Sequence, residues 1–293
     1  MTEGAARPTT PRVSVFLFCK NRAGTIRRSV ESVLGQTYSD IEYVIQDGAS
    51  TDGTLEVLQQ YDDPRIRLRS ERDEGPAEAF WRTLGRCTGD YICACLSDEE
   101  LLPHAIEEAV EALDADVDAV ALTRDAYLSD IDGRVLDTAR GRSFDLIDYL
   151  ANRFAPNFAA AMFRRRALEA AGLGTRAWDL ECGEFELWSR LSLVGPIRYL
   201  PGVVAKYGIH EGQLSQLPAN AVRLVHGRLR TIDRIARETP LFEGKPELIR
   251  VCRVATTLSF ARHLALAGPS AESAELYLSV ADETGRQIGR AHV

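Results

Sequence analysis

Residues 41–54 read Ile-Glu-Tyr-Val-Ile-Gln-Asp47-Gly-Ala-Ser-Thr-Asp52-Gly-Thr54. The first five form an apolar, β-rich run, and the polar turn after them leads into Thr54–Tyr61, where Leu55 and Leu58 recur at helical spacing. A strand, a turn of Asp, Ser and Gly, and a helix make up one unit of an α/β sheet. The same unit stands on either side. Upstream, Val13-Ser-Val-Phe-Leu-Phe18 reads as a buried strand, Cys19–Arg22 as its polar end, and Ile26, Val30, Val33 and Leu34 as a helix after Asn21. Downstream come a short strand over 66–68, a helix over 76–87 with Pro76 in its first turn, and a strand over 91–96 ending in Ser97-Asp98-Glu99-Glu100. Such alternation predicts a mostly parallel sheet flanked by helices, with ligands at the carboxyl ends of its strands. Three polar segments fall at such ends: Cys19–Arg22, Asp47–Asp52 and Ser97–Glu100.

The second half is less regular. Val117–Thr123 reads as a strand, Tyr127–Leu136 as a hairpin around Asp132-Gly133, Phe158–Phe163 as strand-like and Arg166–Ala171 as a helical turn. Glu184–Val194 is a helix with Leu187, Trp188, Leu191 and Val194 as its apolar residues. From Pro218 the chain is helical with breaks near 240–246 and 268–269. The expected organisation is a disordered lead over 1–11, an α/β domain over 12–216 with halves at 12–103 and 104–216, and a helical appendage over 217–293.

With 293 residues, 45% of them hydrophobic, the chain is long enough to bury a large core. A net charge of -8 argues against a nucleic-acid partner, which calls for a basic excess. The six cysteines show no metal-binding spacing, and Cys93 and Cys95 alternate like small core residues, which fits a reducing cytoplasm. The lead lacks the apolar stretch of a signal peptide, and no run approaches the roughly 20 apolar residues that span a bilayer.

Asp98 and Glu99 are adjacent carboxylates at the end of a buried strand, which is costly unless something compensates them. One compensation is a divalent cation carrying a diphosphate, since such ions take oxygen ligands shared with substrate phosphates. The other is a helix start, where Asp caps and Glu suits the first turn. From the residues alone both stand. Asp47 before Gly48 could accept hydrogen bonds from a base or ribose, or close a turn on its own backbone. The arginines at 164–166 and between 223 and 237 fit solvated faces packed on the core. They fit an anionic acceptor or a membrane surface less simply.

The order of the pieces is more specific than any one of them. Val13–Glu31, Ser32-Val-Leu-Gly-Gln-Thr-Tyr38, Ile41–Thr54, Ser70-Glu-Arg-Asp73-Glu-Gly75, Thr88-Gly-Asp-Tyr-Ile and Leu96-Ser-Asp-Glu together resemble the family-2 glycosyltransferases of the GT-A fold. The likeness covers about residues 12–215. It implies a Rossmann-like α/β fold and inverting transfer of a sugar from a nucleotide-sugar donor, with UDP expected and Mn2+ or Mg2+ as cofactor. The acceptor would be a hydroxyl of a glycan, a lipid-linked sugar or a small molecule. The setting would be cytoplasmic, with a peripheral membrane contact and a homodimer through the C-terminal helices both compatible.

Carried over position by position, Phe18, Cys19 and Asn21 would line the base pocket, Asp47 would meet the uracil or ribose, and Asp73 would line the donor pocket. Asp98 and Glu99 take the place of the metal-binding acidic motif, Glu99 on the metal and Asp98 also toward the ribose. Glu184-Phe-Glu186-Leu-Trp188-Ser-Arg190-Leu resembles the segment whose leading carboxylate is the catalytic base. His210, in Tyr207-Gly-Ile-His-Glu-Gly-Gln-Leu-Ser215, resembles a residue that meets the metal or diphosphate. Three departures stand out: relatives commonly carry Asp at the positions of Glu99 and Glu184, an acidic residue at Gly183, and Asn at Trp81. They keep open a degenerate relative that binds a nucleotide sugar, or a partner, without turnover. A nucleotidyltransferase or dinucleotide oxidoreductase would need a glycine-rich loop after the first strand, and Cys19-Lys-Asn-Arg22 is not one.

Overall fold

The computed structural model describes residues 11–172, 183–209 and 218–267, with Ala274, Glu275 and Leu278 beyond them. These fall into two compact units, and the first holds the sheet. Its first half is β1 (Val13–Cys19), α1 (Ile26–Leu34), β2 (Ile41–Asp47), α2 (Thr54–Leu58), β3 (Ile66–Ser70), α3 (Pro76–Leu84) and β4 (Tyr91–Ala94). The strands lie in the order β3-β2-β1-β4, all parallel. Val13, Val15 and Leu17 alternate into one apolar cluster with Ile26, Val30 and Val33 of α1, and all six are wholly buried. Each such side chain contributes about 1.5–3 kcal/mol by leaving water. The register sets Cys19 level with Asp47 and Asp47 level with Ser70, so three strand ends finish side by side.

The rest of the chain runs β5 (Glu99–Leu101), α4 (Ala105–Ala115), β6 (Ala121–Ser129), β7 (Val135–Ala139), α5 (Leu146–Leu150), β8 (Ala161–Arg164), α6 (Arg165–Ala170), α7 (Gly183–Val194) and β9 (Ile197–Gly208). The sheet continues from β4 through β8, β6 and β9 to β5, with β7 on β6. Of the eight strand pairings among the described residues, β4–β8, β5–β9, β6–β7 and β6–β8 are antiparallel, so the sheet is mixed outside its first half.

Three local expectations change. No helix starts at Asp98: Glu99–Leu101 pairs with β9, and α4 waits until Ala105, because Pro103 turns the residue before it away from helical geometry. The hairpin turn is longer than two residues. Asp130 Oδ1 accepts from the Asp132 and Arg134 N–H groups, and Gly133 supplies a φ of 83°. The long strand β9 was not expected, since Pro201 and Gly202 interrupt its pattern. Gly202, at φ 123°, sits where the β6–β9 register shifts.

The second unit takes in α5, α7 as far as Leu193, and α8 (Pro218–Glu238), the turn Pro240–Phe242 and α9 (Pro246–Ala267). Two of its segments, 144–155 and 183–193, precede residue 217. Val225, Ala261 and Leu264 form an apolar contact between α8 and α9. Wholly buried Glu186 on α7 accepts from Arg190 Nε at 2.8 Å and from Arg234 Nη1 on α8 at 2.5 Å. No helix among the described residues is long and apolar enough to cross a membrane.

Candidate functional site

The carboxyl ends of β1, β2 and β3 knit into one floor. Asp47 is wholly buried, and its carboxylate accepts from the Ser50 Oγ at 2.5 Å, the Ser50 N–H at 3.2 Å and the Ser70 Oγ at 2.6 Å. Those donors replace the water that burial removes. The Cys19 carbonyl accepts from the Gly48 N–H at 2.8 Å, while Asn21 Oδ1 accepts from the Thr51 N–H at 2.9 Å. Asn21 itself is exposed, in the left-handed region at φ 54°.

Asp73 closes this floor. Its Oδ1 accepts from the Gly75 N–H at 3.0 Å, and its Oδ2 lies against Gly48. A Cβ on Gly48 would stand 2.5 Å from Asp73 Oδ2 and 3.4 Å from the Cys19 carbonyl oxygen. Cys19, Asp47-Gly48 and Asp73 are therefore gathered at one spot, with the Asp73 carboxylate only half-buried. Half-buried Phe18 meets Phe80 edge to face, ring centroids 6.0 Å apart, and Phe80 meets Trp81 at 4.7 Å, which makes one side apolar. Burial, with the Asp47 charge adding to it, pushes the Cys19 thiol up to about 12, so it is protonated at neutral pH and a poor nucleophile.

Between β4 and β5, Asp98 is half-buried, and Glu99, the first residue of β5, is 2% exposed. Glu99 Oε2 accepts from the Leu96 N–H at 2.7 Å. The Asp98 carbonyl accepts from Gly208 at the end of β9, where a Cβ would come within 2.5 Å of it. Glu100 pairs with Arg28 at 3.3 Å and Lys206 at 3.1 Å. Among the described residues no three His, Cys, Asp or Glu side chains gather as a metal cluster. Carboxylates of this kind have the oxygen chemistry that suits a cation arriving with a diphosphate and keeping phosphate and water as its other ligands. His210 lies outside the described residues, which in β9's segment end at Ile209.

Glu184 belongs to the second unit, in the first turn of α7. Its carbonyl accepts from the Tyr149 hydroxyl at 3.4 Å. By accessible surface the residue is exposed, yet protein surrounds it densely, and that crowding pushes its carboxyl above the ordinary value. The Arg228 charge and a hydrogen bond with Trp188 oppose the rise. Sequence reading missed Ser50, Ser70 and Gly48, although the Asp-Gly-Ala-Ser turn and the register of β3 carry the signal for all three. It also missed Tyr149 and Arg228, which no local pattern marks.

The sequence profile of glycosyl transferase family 2 matches residues 14–172. Chondroitin synthase of Escherichia coli is 27% identical over 219 residues, covering 71% of this chain and 30% of that protein. The succinoglycan biosynthesis protein ExoO of Rhizobium meliloti is 30% identical over 224 residues, covering 71% of this chain and 63% of its own. The chain thus spans under two thirds of the length of these relatives. Among solved structures, the mannosyltransferase PcManGT of Pyrobaculum calidifontis, in complex with GDP-Man and Mn2+, superposes with a TM-score of 0.57 at 19% identity, covering 96% of this chain and 82% of that one. S. aureus TarS 1-349, in complex with UDP-GlcNAc, gives 0.60 at 16% identity, covering 86% and 81%. At such identities the likeness is one of fold, the GT-A glycosyltransferase fold.

Proposed function

The chain belongs to glycosyl transferase family 2, and from that premise we propose that it transfers a sugar from a nucleotide-sugar donor to an acceptor hydroxyl with inversion. The observation that carries the reading is the contact of Gly48 with both Asp73 and the Cys19 carbonyl at the ends of β1, β2 and β3. It makes a floor of backbone and carboxylates beside an aromatic side, the kind of surface that takes a base and a ribose. Phe18, Cys19 and Asn21 would border the base. Asp47, held by Ser50 and Ser70, would shape the floor, and Asp73 would accept from the ring or ribose. UDP is the expected nucleotide.

Asp98 would face the ribose and, with Glu99, hold the cation; His210 is the further proposed ligand. When bound, Mn2+ or Mg2+ supplies Lewis-acid charge to the departing diphosphate. Glu184 is the proposed general base. It takes the proton of the acceptor hydroxyl as that oxygen forms its bond to C1 of the sugar. The bond from C1 to the diphosphate oxygen breaks and its electron pair leaves with the diphosphate. A carboxylate whose pKa is raised from its ordinary value binds a proton more readily than an ordinary one. The relatives named in chondroitin and succinoglycan synthesis support a polysaccharide or lipid-linked acceptor.

The test is calorimetric titration with UDP, with and without Mn2+, beside hydrolysis of a panel of UDP-sugars. UDP binding strengthened by Mn2+, with slow donor hydrolysis, is expected. Absence of UDP binding in both conditions would overturn the reading. Binding without any turnover would point to the degenerate relative.

A further inference from the structure

Arg228 stands on α8, well past the stretch that matches the family profile. Its guanidinium carbon is 4.7 Å from the ring centroid of Phe185 on α7 and 5.1 Å from that of Phe260 on α9. Its Nη1 donates to Asn152 Oδ1 at 2.5 Å, and Asn152 in turn donates from Nδ2 to the Ser259 Oγ at 2.7 Å. A cation held between two aromatic faces and a neutral amide has a fixed position rather than a solvated sweep. Among the described residues its polar partner is the neutral amide of Asn152, so these contacts do not neutralise its charge.

That charge stands at the residue next to Glu184. Phe185 is buried and also stacks on Tyr149, ring centroids 4.9 Å apart, while the Tyr149 hydroxyl donates to the Glu184 carbonyl. Among the described residues, charges around the start of α7 pair with one another. Glu186 is neutralised by Arg190 and Arg234, Arg190 also meets Glu238 at 2.8 Å, and Asp148 on α5 faces Arg153 at 3.5 Å.

We propose that Arg228 is a positioning residue for the Glu184 carboxylate: a fixed positive charge, brought by a C-terminal helix, that keeps the base ionised and aimed at the acceptor hydroxyl. This rests on Glu184 being the base. The C-terminal helices are then part of the catalytic machinery, because α8 supplies the field in which the base works. The protein crowded around it raises the Glu184 carboxyl, and the Arg228 charge counters that rise. Removing the charge therefore moves the midpoint of Glu184 further up, and less of the base is ionised at neutral pH.

The test compares Arg228→Gln, which keeps a hydrogen-bonding side chain for Asn152 but no charge, with Arg228→Lys, which keeps the charge without the planar stack. In full-length protein with 13C-labelled glutamate, the Glu184 carboxyl is assigned by its loss in Glu184→Gln and titrated by NMR. The midpoint is expected to rise in R228Q and to return toward the wild-type value in R228K. With whichever of UDP-glucose, UDP-galactose and UDP-GlcNAc the wild type hydrolyses fastest, R228Q should lower kcat about tenfold, as misplacing a catalytic group does, and leave the donor KM within about twofold. An unchanged midpoint in R228Q overturns the proposal, as does an equal loss of kcat from R228Q in the E184Q background. Full turnover by E184Q alone would instead remove Glu184 as the base, and the NMR result would be unaffected.

Discussion

Gly48→Ala puts a methyl group where the structure has no room beside one particular atom. The new Cβ would stand 2.5 Å from Asp73 Oδ2, 3.3 Å from its Cγ and 3.4 Å from the Cys19 carbonyl oxygen. The Cys19 contact is tolerable, but Asp73 must retreat by about 1 Å to reach an ordinary van der Waals distance. That retreat breaks its bond to the Gly75 N–H at 3.0 Å, costing about 1 kcal/mol. Gly48 is not in the left-handed region, so alanine also stiffens the unfolded chain to the protein's advantage by about 0.4–1 kcal/mol. The two terms nearly cancel, and Tm should move by no more than about 4 °C. Donor binding has no such offset. If Asp73 accepts from the nucleotide, losing a hydrogen bond to a charged group costs about 1.5–3 kcal/mol, which is roughly 10- to 150-fold in Kd. Calorimetric titration with UDP and Mn2+, beside a thermal melt, reads both quantities. Wild-type UDP affinity in a folded G48A protein would refute the placement of Asp73 in the donor pocket. A fall in Tm beyond about 10 °C would show that backbone, not the Asp73 side chain, had to give way.

Glu184→Gln should lower transfer by about 10²–10⁴-fold while leaving UDP affinity within about twofold, measured by product formation and calorimetry. Because a base works only when ionised, kcat/KM should rise with pH through the Glu184 pKa. The protein crowded around it raises that pKa, so the acid limb should lie above that of an ordinary glutamate, and E184Q should flatten it. Asp98→Ala, or chelation by EDTA, should abolish the gain in UDP affinity that Mn2+ gives; a gain that survives D98A removes Asp98 as a ligand. Glu186→Ala strips the counter-charge from Arg190, itself 4% exposed, and should destabilise the protein by about 3–5 kcal/mol in urea unfolding. A loss under about 1 kcal/mol would show that Arg190 finds its compensation in Glu238.

The first half of the fold was legible because β1, β2 and β4 are buried on both faces and read as largely apolar runs, with β3 a half-exposed edge strand. Helical periodicity separates them, and their polar ends give themselves away. The second half was not, for nameable reasons. β5 is three residues of Glu-Glu-Leu, which no pattern of burial marks; its pairing with β9 makes it a strand. β9 contains Pro201-Gly202, which reads as a break and proves to be an irregularity inside a twelve-residue strand. In the site, the local ambiguity at Asp98 and Glu99 is resolved against the helix cap, because the residues after them are extended. The position of Asp73 against Gly48 was beyond reach, since it depends on how a loop after β3 folds over the end of β2. The ordered series of motifs could rank Asp73 as a candidate but could not say what it touches.

The arginines of α8 show how far composition misleads when the partner is distant in sequence. Read along the helix, they are a basic face opposite Val225, Leu229 and Ile232, and such a face suits water or a membrane surface equally well. In the folded unit, Arg234 is committed to buried Glu186 and Arg228 to Asn152 and two aromatic rings. A charge taken from water is kept only where something repays its desolvation. For Arg234 the repayment is an ion pair with a glutamate that is 0% exposed. α8 helps α7 bury Glu186 there, and that burial anchors the first turn beside the Tyr149 contacts. The helix that carries Glu184 is thus completed by a helix more than thirty residues further along the chain. Truncation before Pro218 should therefore destabilise α7 as well as remove the tail. Hydrogen exchange on the truncated chain is expected to show the Phe185–Leu191 amides losing protection. Retained protection there would mean that α7 is held without α8.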